Sequence, residues 1–192
     1  MFRETIPWEK VIAVTNRHLC RGDFFHQIEK IGENQVRGLI LREKDLSEPE
    51  YLEMAERVLA ICKKQNVPCM LHTFWKTAEE LGWRRIHLPL SVLEEMPAEE
   101  KENFDCIGVS VHSREQALKA VSLGADYLTA GHIFPTDCKK GLAPRGIDFL
   151  KNICQTVQVP VFGIGGIHPG NIEQVLDAGA SGVCMMSEMM NF

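Results

Sequence analysis

The sequence predicts an α/β fold, a single-domain (β/α)8 TIM barrel over residues 1–192 with its last outer helix short or missing. Three observations carry this expectation: eight short apolar runs, amphipathic stretches between them, and a helix-to-strand phrase used twice. The apolar runs cover residues 11–15, 36–41, 69–72, 86–88, 107–111, 127–130, 159–164 and 182–186. Most are too short for helices, and several carry the β-branched residues that suit a pleated surface. They do not alternate cleanly between polar and apolar, as expected of parallel strands covered on both faces. Between them, Ser47-Glu-Pro-Glu opens a helix, with Ser47 as its cap and Pro49 in its first turn. Tyr51, Ala55, Val58, Leu59 and Cys62 then fall on one helical face. Residues 113–123 form another such segment, stopped by Gly124, and residues 171–178 end in the same way at Gly179. Gly124-Ala125-Asp126 and Gly179-Ala180-Ser181 are the repeated return from helix to strand. Eight runs with helices between them favour a closed barrel over an open doubly wound sheet. Only residues 187–192 follow the last run, too few for an eighth outer helix, so the barrel lacks that helix or the chain is truncated.

Composition narrows the function classes. A net charge of -5 argues against a general nucleic-acid binder, which needs clustered Lys and Arg. No apolar run approaches the length of a membrane span, and the charged start of the chain lacks the apolar core of a secretory signal. The seven cysteines are odd in number, scattered and without zinc-type spacing. They read as small buried hydrophobes in a reducing cytoplasm, with no metal and no disulfide framework.

The most informative stretch is Val161-Phe-Gly-Ile-Gly-Gly-Ile-His-Pro-Gly-Asn171, a buried strand running into glycines and then a helix start. In phosphate-binding barrels the loop after strand seven and the turn after strand eight hold the anion together. Gly165 and Gly166 supply the first half. Met186 and Ser187 supply the second, Ser187 offering hydroxyl and amide donors. After strand six comes a long polar loop at the face where barrel chemistry occurs, and His132 stands at its root. An imidazole there is suited to exchanging a proton near neutral pH. Lys139 and Lys140 follow in that loop, Arg42 and Lys44 close strand two, and His72 closes strand three. Ser110 and His112 end strand five, facing the opposite way from Val109 and Val111 if the alternation holds.

The pieces LREK at 41–44, GVSVHS at 108–113, ADYLTAGHIFPTDCKKG at 125–141 and VPVFGIGGIHPGNIEQVLDAGASGVCMMS at 159–187 resemble the thiamine phosphate synthase/TenI superfamily, in order along nearly the whole chain. The resemblance implies a (β/α)8 barrel and a homodimer. Synthase members carry an Asn-Asp pair after strand three and an HLGQxD motif after strand four, whose acidic groups help to hold magnesium and a pyrophosphate. Here those regions read Leu71-His-Thr-Phe-Trp75 and Ile86-His-Leu-Pro-Leu-Ser91, without either carboxylate. Gly131-His-Ile-Phe134 replaces the Gly-Pro-Ile-Phe of synthases and resembles the TenI branch. That branch implies a thiazole tautomerase of thiamine biosynthesis, an isomerase needing no cofactor, which aromatises a carboxythiazole phosphate tautomer by proton transfer. By the same resemblance His132 is the catalytic acid and base, while Gly165, Gly166, Met186 and Ser187 bind the substrate phosphate. Arg42, Lys44, Ser110 and Lys139 are expected to complete the thiazole phosphate site. A thiamine phosphate synthase and a non-catalytic thiazole-phosphate-binding regulator are the alternatives.

Overall fold

In the computed structural model each of the eight apolar runs forms a strand, and the strands close on themselves in sequence order. The structure describes residues 6–136, 139 and 141–192. The strands are β1 (Val11–Val14), β2 (Gly38–Leu41), β3 (Cys69–His72), β4 (Arg85–Pro89), β5 (Cys106–Val111), β6 (Tyr127–Gly131), β7 (Val161–Ile164) and β8 (Gly182–Met185). Every neighbouring pair is parallel, and β1 pairs with β8 through Ile12 opposite Cys184, which removes any free edge. Helices follow the strands: α1 (Phe24–Glu33), α2 (Glu48–Gln65), α3 (Trp75–Glu80), α4 (Leu90–Glu95), α5 (Ala98–Lys101), α6 (Arg114–Ser122), α7 (Gly146–Thr156) and α8 (Ile172–Asp177). After β8 there is one 3-10 turn, Glu188–Met190, in the place of an outer helix. No helix among the described residues is long and apolar enough to cross a membrane.

The local signals act where the sequence places them. Ser47 caps α2, and the Glu50 carboxylate accepts from the Ser47 backbone N–H at 2.9 Å. Tyr51, Ala55, Val58, Leu59 and Cys62 form its buried face. Ser113 caps α6 by accepting from the Gln116 N–H, and the glycines after α6 and α8 take φ of +96° and +95°.

Strand parity then sorts side chains into two compartments. Val11, Ala13, Leu39, Leu41, Val109 and Val183 face the helices and join the main core. Ile12, Val14, Ile40, Met70, Tyr127, Phe162 and Cys184 point inward and fill the lower barrel. Above that plug the inward positions become polar, with His72, His87, Ser110 and Thr129 at the mouth. Tyr51 braces this end from outside: its hydroxyl donates to the Leu41 carbonyl at 2.7 Å and accepts the His72 N–H at 2.9 Å. One side chain thus locks β2 to β3 beneath the mouth.

Candidate active site

A cavity of about 580 Å³ opens at the C-terminal ends of the strands. It gathers every residue expected from the sequence to bind substrate: Arg42, Lys44, Ser110, His132, Lys139, Gly165, Gly166, Met186 and Ser187 all line it. Lys140 lies outside the described residues.

One wall is cationic. Arg42 and Lys44 continue β2 into the mouth, while Glu43 between them turns away and is buried. The Glu43 carboxylate accepts from Thr15 Oγ1 at 2.7 Å and from Arg17 Nη1 at 3.0 Å, which pins the exit of β1 to that of β2. The Lys44 ammonium is held below its usual pKa, first by burial and then by the charges of Arg42 and Lys139. Lys139, from the loop after β6, therefore reaches close enough for its charge to act on the β2 wall. Three crowded cations repel one another unless an anion joins them.

The second wall is the glycine turn after β7. Gly165 and Gly166 have φ of +100° and +66°, and a Cβ on Gly166 would meet the Pro135 carbonyl oxygen at 2.4 Å. A Cβ on Gly165 would lie 2.3 Å from His132 Cβ. Glycine is required here both for its backbone angles and for the close approach of two loops. Phe134 N–H donates to the Gly165 carbonyl at 3.0 Å, and Arg145 N–H donates to the His132 carbonyl at 2.9 Å, so the roots of the long loop are fixed. The N–H groups of Gly165, Gly166 and Ser187 have no acceptor among the described residues. They leave donors at the edge of the cavity, as an anion cup requires.

The histidines differ in environment. The His132 ring lines the cavity, and its Nε2 is buried with no hydrogen-bond partner among the described residues. His112 Nδ1 donates to the Gly131 carbonyl at 2.8 Å. His72 is buried, its Nδ1 2.7 Å from Thr73 Oγ1, and burial, then His87, Lys44 and Arg42, push its pKa well below the usual value. His87 is pushed down to about 3, by burial first and then by Lys44. His87 was not among the residues singled out from the sequence. Its inward position follows from parity, since Ile86 and Leu88 on either side face the helices. Ser110 lines the cavity while Val109 and Val111 are buried outward, as the alternation predicts.

Magnesium does not suit this donor set. The ends of β3 and β4 and the start of α4 present His72, Pro89 and Ser91, and Glu94 is the one carboxylate lining the cavity among the described residues. No group of three His, Cys, Asp or Glu side chains among them is arranged to hold a metal. Magnesium prefers oxygen ligands, carboxylates above all, so the described residues offer it little beyond Glu94.

Fold and site together define a closed (β/α)8 barrel with a cavity at the C-terminal ends of its strands, a glycine turn after β7 and cations after β2. A family model described as thiamine monophosphate synthase matches residues 11–189, and the chain belongs to that family. It is 32% identical over 186 residues to thiamine-phosphate synthase of Clostridium tetani, covering 92% of this chain and 86% of that one. Thiamine-phosphate synthase of Fusobacterium nucleatum subsp. nucleatum is 33% identical over 188 residues, covering 95% of this chain and 89% of its own. Among solved structures, thiamine phosphate pyrophosphorylase from Pyrococcus furiosus superposes with a TM-score of 0.81 at 30% identity, covering 95% of this chain and 87% of that one.

These relatives correct the expected activity. The missing acidic groups after strands three and four, together with His132 in place of proline, led the sequence reading to an isomerase, a thiazole tautomerase. Relatives spanning more than nine-tenths of the chain are named thiamine-phosphate synthases, which are transferases. Departures at three short motifs are a weaker guide to the reaction than likeness over the whole barrel.

Proposed function

We propose that the protein is a transferase of the thiamine-phosphate synthase type, joining a pyrimidine diphosphate to a thiazole phosphate. The supporting observation is that one cavity presents two separate anion-holding groups, the cations of Arg42, Lys44 and Lys139 and the free amides around Gly165, Gly166 and Ser187. Two phosphorylated substrates need two such places. In this reading the thiazole nitrogen forms a bond to the pyrimidine methylene carbon as the carbon–oxygen bond to diphosphate breaks. The diphosphate leaves with the electron pair, and Arg42, Lys44 and Lys139 meet its developing charge. The thiazole phosphate is held by the glycine turn and Ser187, with Met186 packed beside it. Coupling moves no proton, so His132 serves to seat the thiazole ring rather than to exchange protons. A homodimer belongs to the same reading, and sedimentation equilibrium at the mass of two chains checks it.

The deciding experiment mixes both substrates with the protein and follows thiamine phosphate and released diphosphate, with magnesium and with a chelator. Product formation that is lost in the R42A/K44A double variant supports the assignment; no product under either condition removes it. The lack of a carboxylate pair at the mouth among the described residues favours a second reading, a binder without turnover. Tight thiamine phosphate binding with no coupling identifies that case.

The cationic wall makes a separate prediction. An anion stabilises protonated Lys44, so inorganic pyrophosphate should bind more weakly as pH rises through the lowered Lys44 pKa. Lys44→Ala should cost about tenfold in affinity and flatten that pH profile. Calorimetry across the alkaline range checks it, and an unchanged profile in the variant assigns the effect elsewhere.

A further inference from the structure

The cavity floor carries a polar chain that takes no part in the bond-making and bond-breaking of coupling. Tyr127 Oη lies 2.9 Å from His87 Nδ1, His87 Nε2 lies 2.9 Å from Ser110 Oγ, and Ser110 Oγ lies 3.1 Å from Thr129 Oγ1. Tyr127, His87 and Thr129 are buried inside the barrel, whereas Ser110 is half-buried and lines the cavity. Gly108 makes room for the phenol, since a Cβ there would lie 2.1 Å from Tyr127 Cζ.

The positions of the protons follow from which groups would otherwise be left unsatisfied. Burial keeps the Tyr127 pKa well above its usual value and lowers that of His87, so the phenol keeps its proton and the imidazole is neutral. Among the described residues the phenol has only His87 Nδ1 as an acceptor. A buried O–H without an acceptor is strongly disfavoured, so Tyr127 donates to Nδ1, which is then unprotonated. The ring proton sits on Nε2 and donates to Ser110 Oγ. Either hydroxyl of the Ser110–Thr129 pair can donate to the other. Thr129 is buried and its other polar neighbour, Nε2 at 3.4 Å, is already a donor, so we assign its hydroxyl as the donor to Ser110 Oγ. Both lone pairs of the serine oxygen are thus occupied from within the barrel. Its own O–H is left to face the cavity.

We propose that Tyr127, His87 and Thr129 are positioning residues that make Ser110 a one-way hydrogen-bond donor, selecting a ligand ring that presents an unprotonated acceptor, such as the aza nitrogen of a pyrimidine, at the cavity floor. The polarity of the chain rests on the hydrogen-bond distances together with burial, which keeps the phenol and the imidazole neutral; the identity of the ring rests on the transferase reading. The site discriminates between isosteric rings by the direction of one hydrogen bond. A ring carrying N–H at that point would set donor against donor.

Two measurements test this. Nitrogen-15 NMR of the histidines, with His87 assigned by its loss in His87→Gln, should show the Nε2–H form; an Nδ1–H form overturns the relay. Calorimetry with thiamine phosphate should show affinity falling about 10- to 100-fold in Ser110→Ala and His87→Leu. Inorganic pyrophosphate should bind both variants as it binds the parent, which also shows that they are folded. His87→Gln, whose amide can still donate to Ser110, should restore thiamine phosphate binding to within about threefold of the parent. Parental thiamine phosphate affinity in Ser110→Ala overturns the proposal. If the parent protein binds pyrophosphate but not thiamine phosphate, the transferase reading fails, and the NMR result still decides the relay.

Discussion

Between pH 6.5 and about 3 the folded protein is expected to lose on the order of 4 kcal/mol of stability through His87 alone. The unfolded chain binds a proton at this imidazole at its ordinary pKa of 6.5, whereas the folded barrel resists doing so until about 3. The unfolded state therefore holds more protons across that window, and stability falls as pH falls. The contribution is fully present above pH 6.5; about 2 kcal/mol of it is gone by pH 5. His72, stacked on His87 with ring centroids 5.8 Å apart, adds loss in the same direction. Urea unfolding at pH 7.5, 5 and 4 measures the slope, and comparison with His87→Gln removes the background from carboxylates common to both proteins. Parallel slopes in the two proteins would mean that the lower barrel admits a proton at little cost.

Gly166→Ala is expected to reduce the affinity for inorganic phosphate and thiamine phosphate about 100-fold while leaving the barrel folded. The left-handed backbone alone costs an L-residue about 1–2 kcal/mol. The new methyl group would also lie 2.4 Å from the Pro135 carbonyl oxygen and 2.9 Å from Phe134 Cβ. The first of these is main chain and cannot rotate away, so the turn must move. A displacement near 1 Å takes the amides of this turn out of register with the phosphate oxygens. Circular dichroism establishes that the variant is folded, and equilibrium dialysis with phosphate gives the affinity. A variant that binds like the parent would place the phosphate elsewhere in the cavity.

Period-two alternation made most of the barrel legible from the residues. The run at 107–111 became β5 (Cys106–Val111), with Ser110 inward and Val109 outward as parity requires. The run at 86–88 was read short because Arg85 and Pro89 are not apolar, yet both belong to β4 (Arg85–Pro89). Helix ends written in Ser47, Ser113, Gly124 and Gly179 were equally plain, since each acts through its own backbone. The space that Gly108 leaves for Tyr127 was not legible, because it depends on which residue of β6 lies beside which residue of β5. His87 escaped notice for a related reason. A histidine between isoleucine and leucine looks like an interruption until the opposite faces of the strand are told apart. The reaction was misread because three local motifs outweighed the character of the whole chain.

The segment Arg42-Glu43-Lys44 shows how little sequence separates an anion-attracting rim from an anion-repelling one. Its carboxylate is spent on Thr15 and Arg17 outside the mouth, while its neighbours on either side look in. One residue inserted after Leu41 would turn this wall inside out, exchanging two inward cations for one inward carboxylate without changing the composition of the tripeptide. Barrels of this build can therefore lose or invert their appetite for phosphorylated compounds through a single codon of added length.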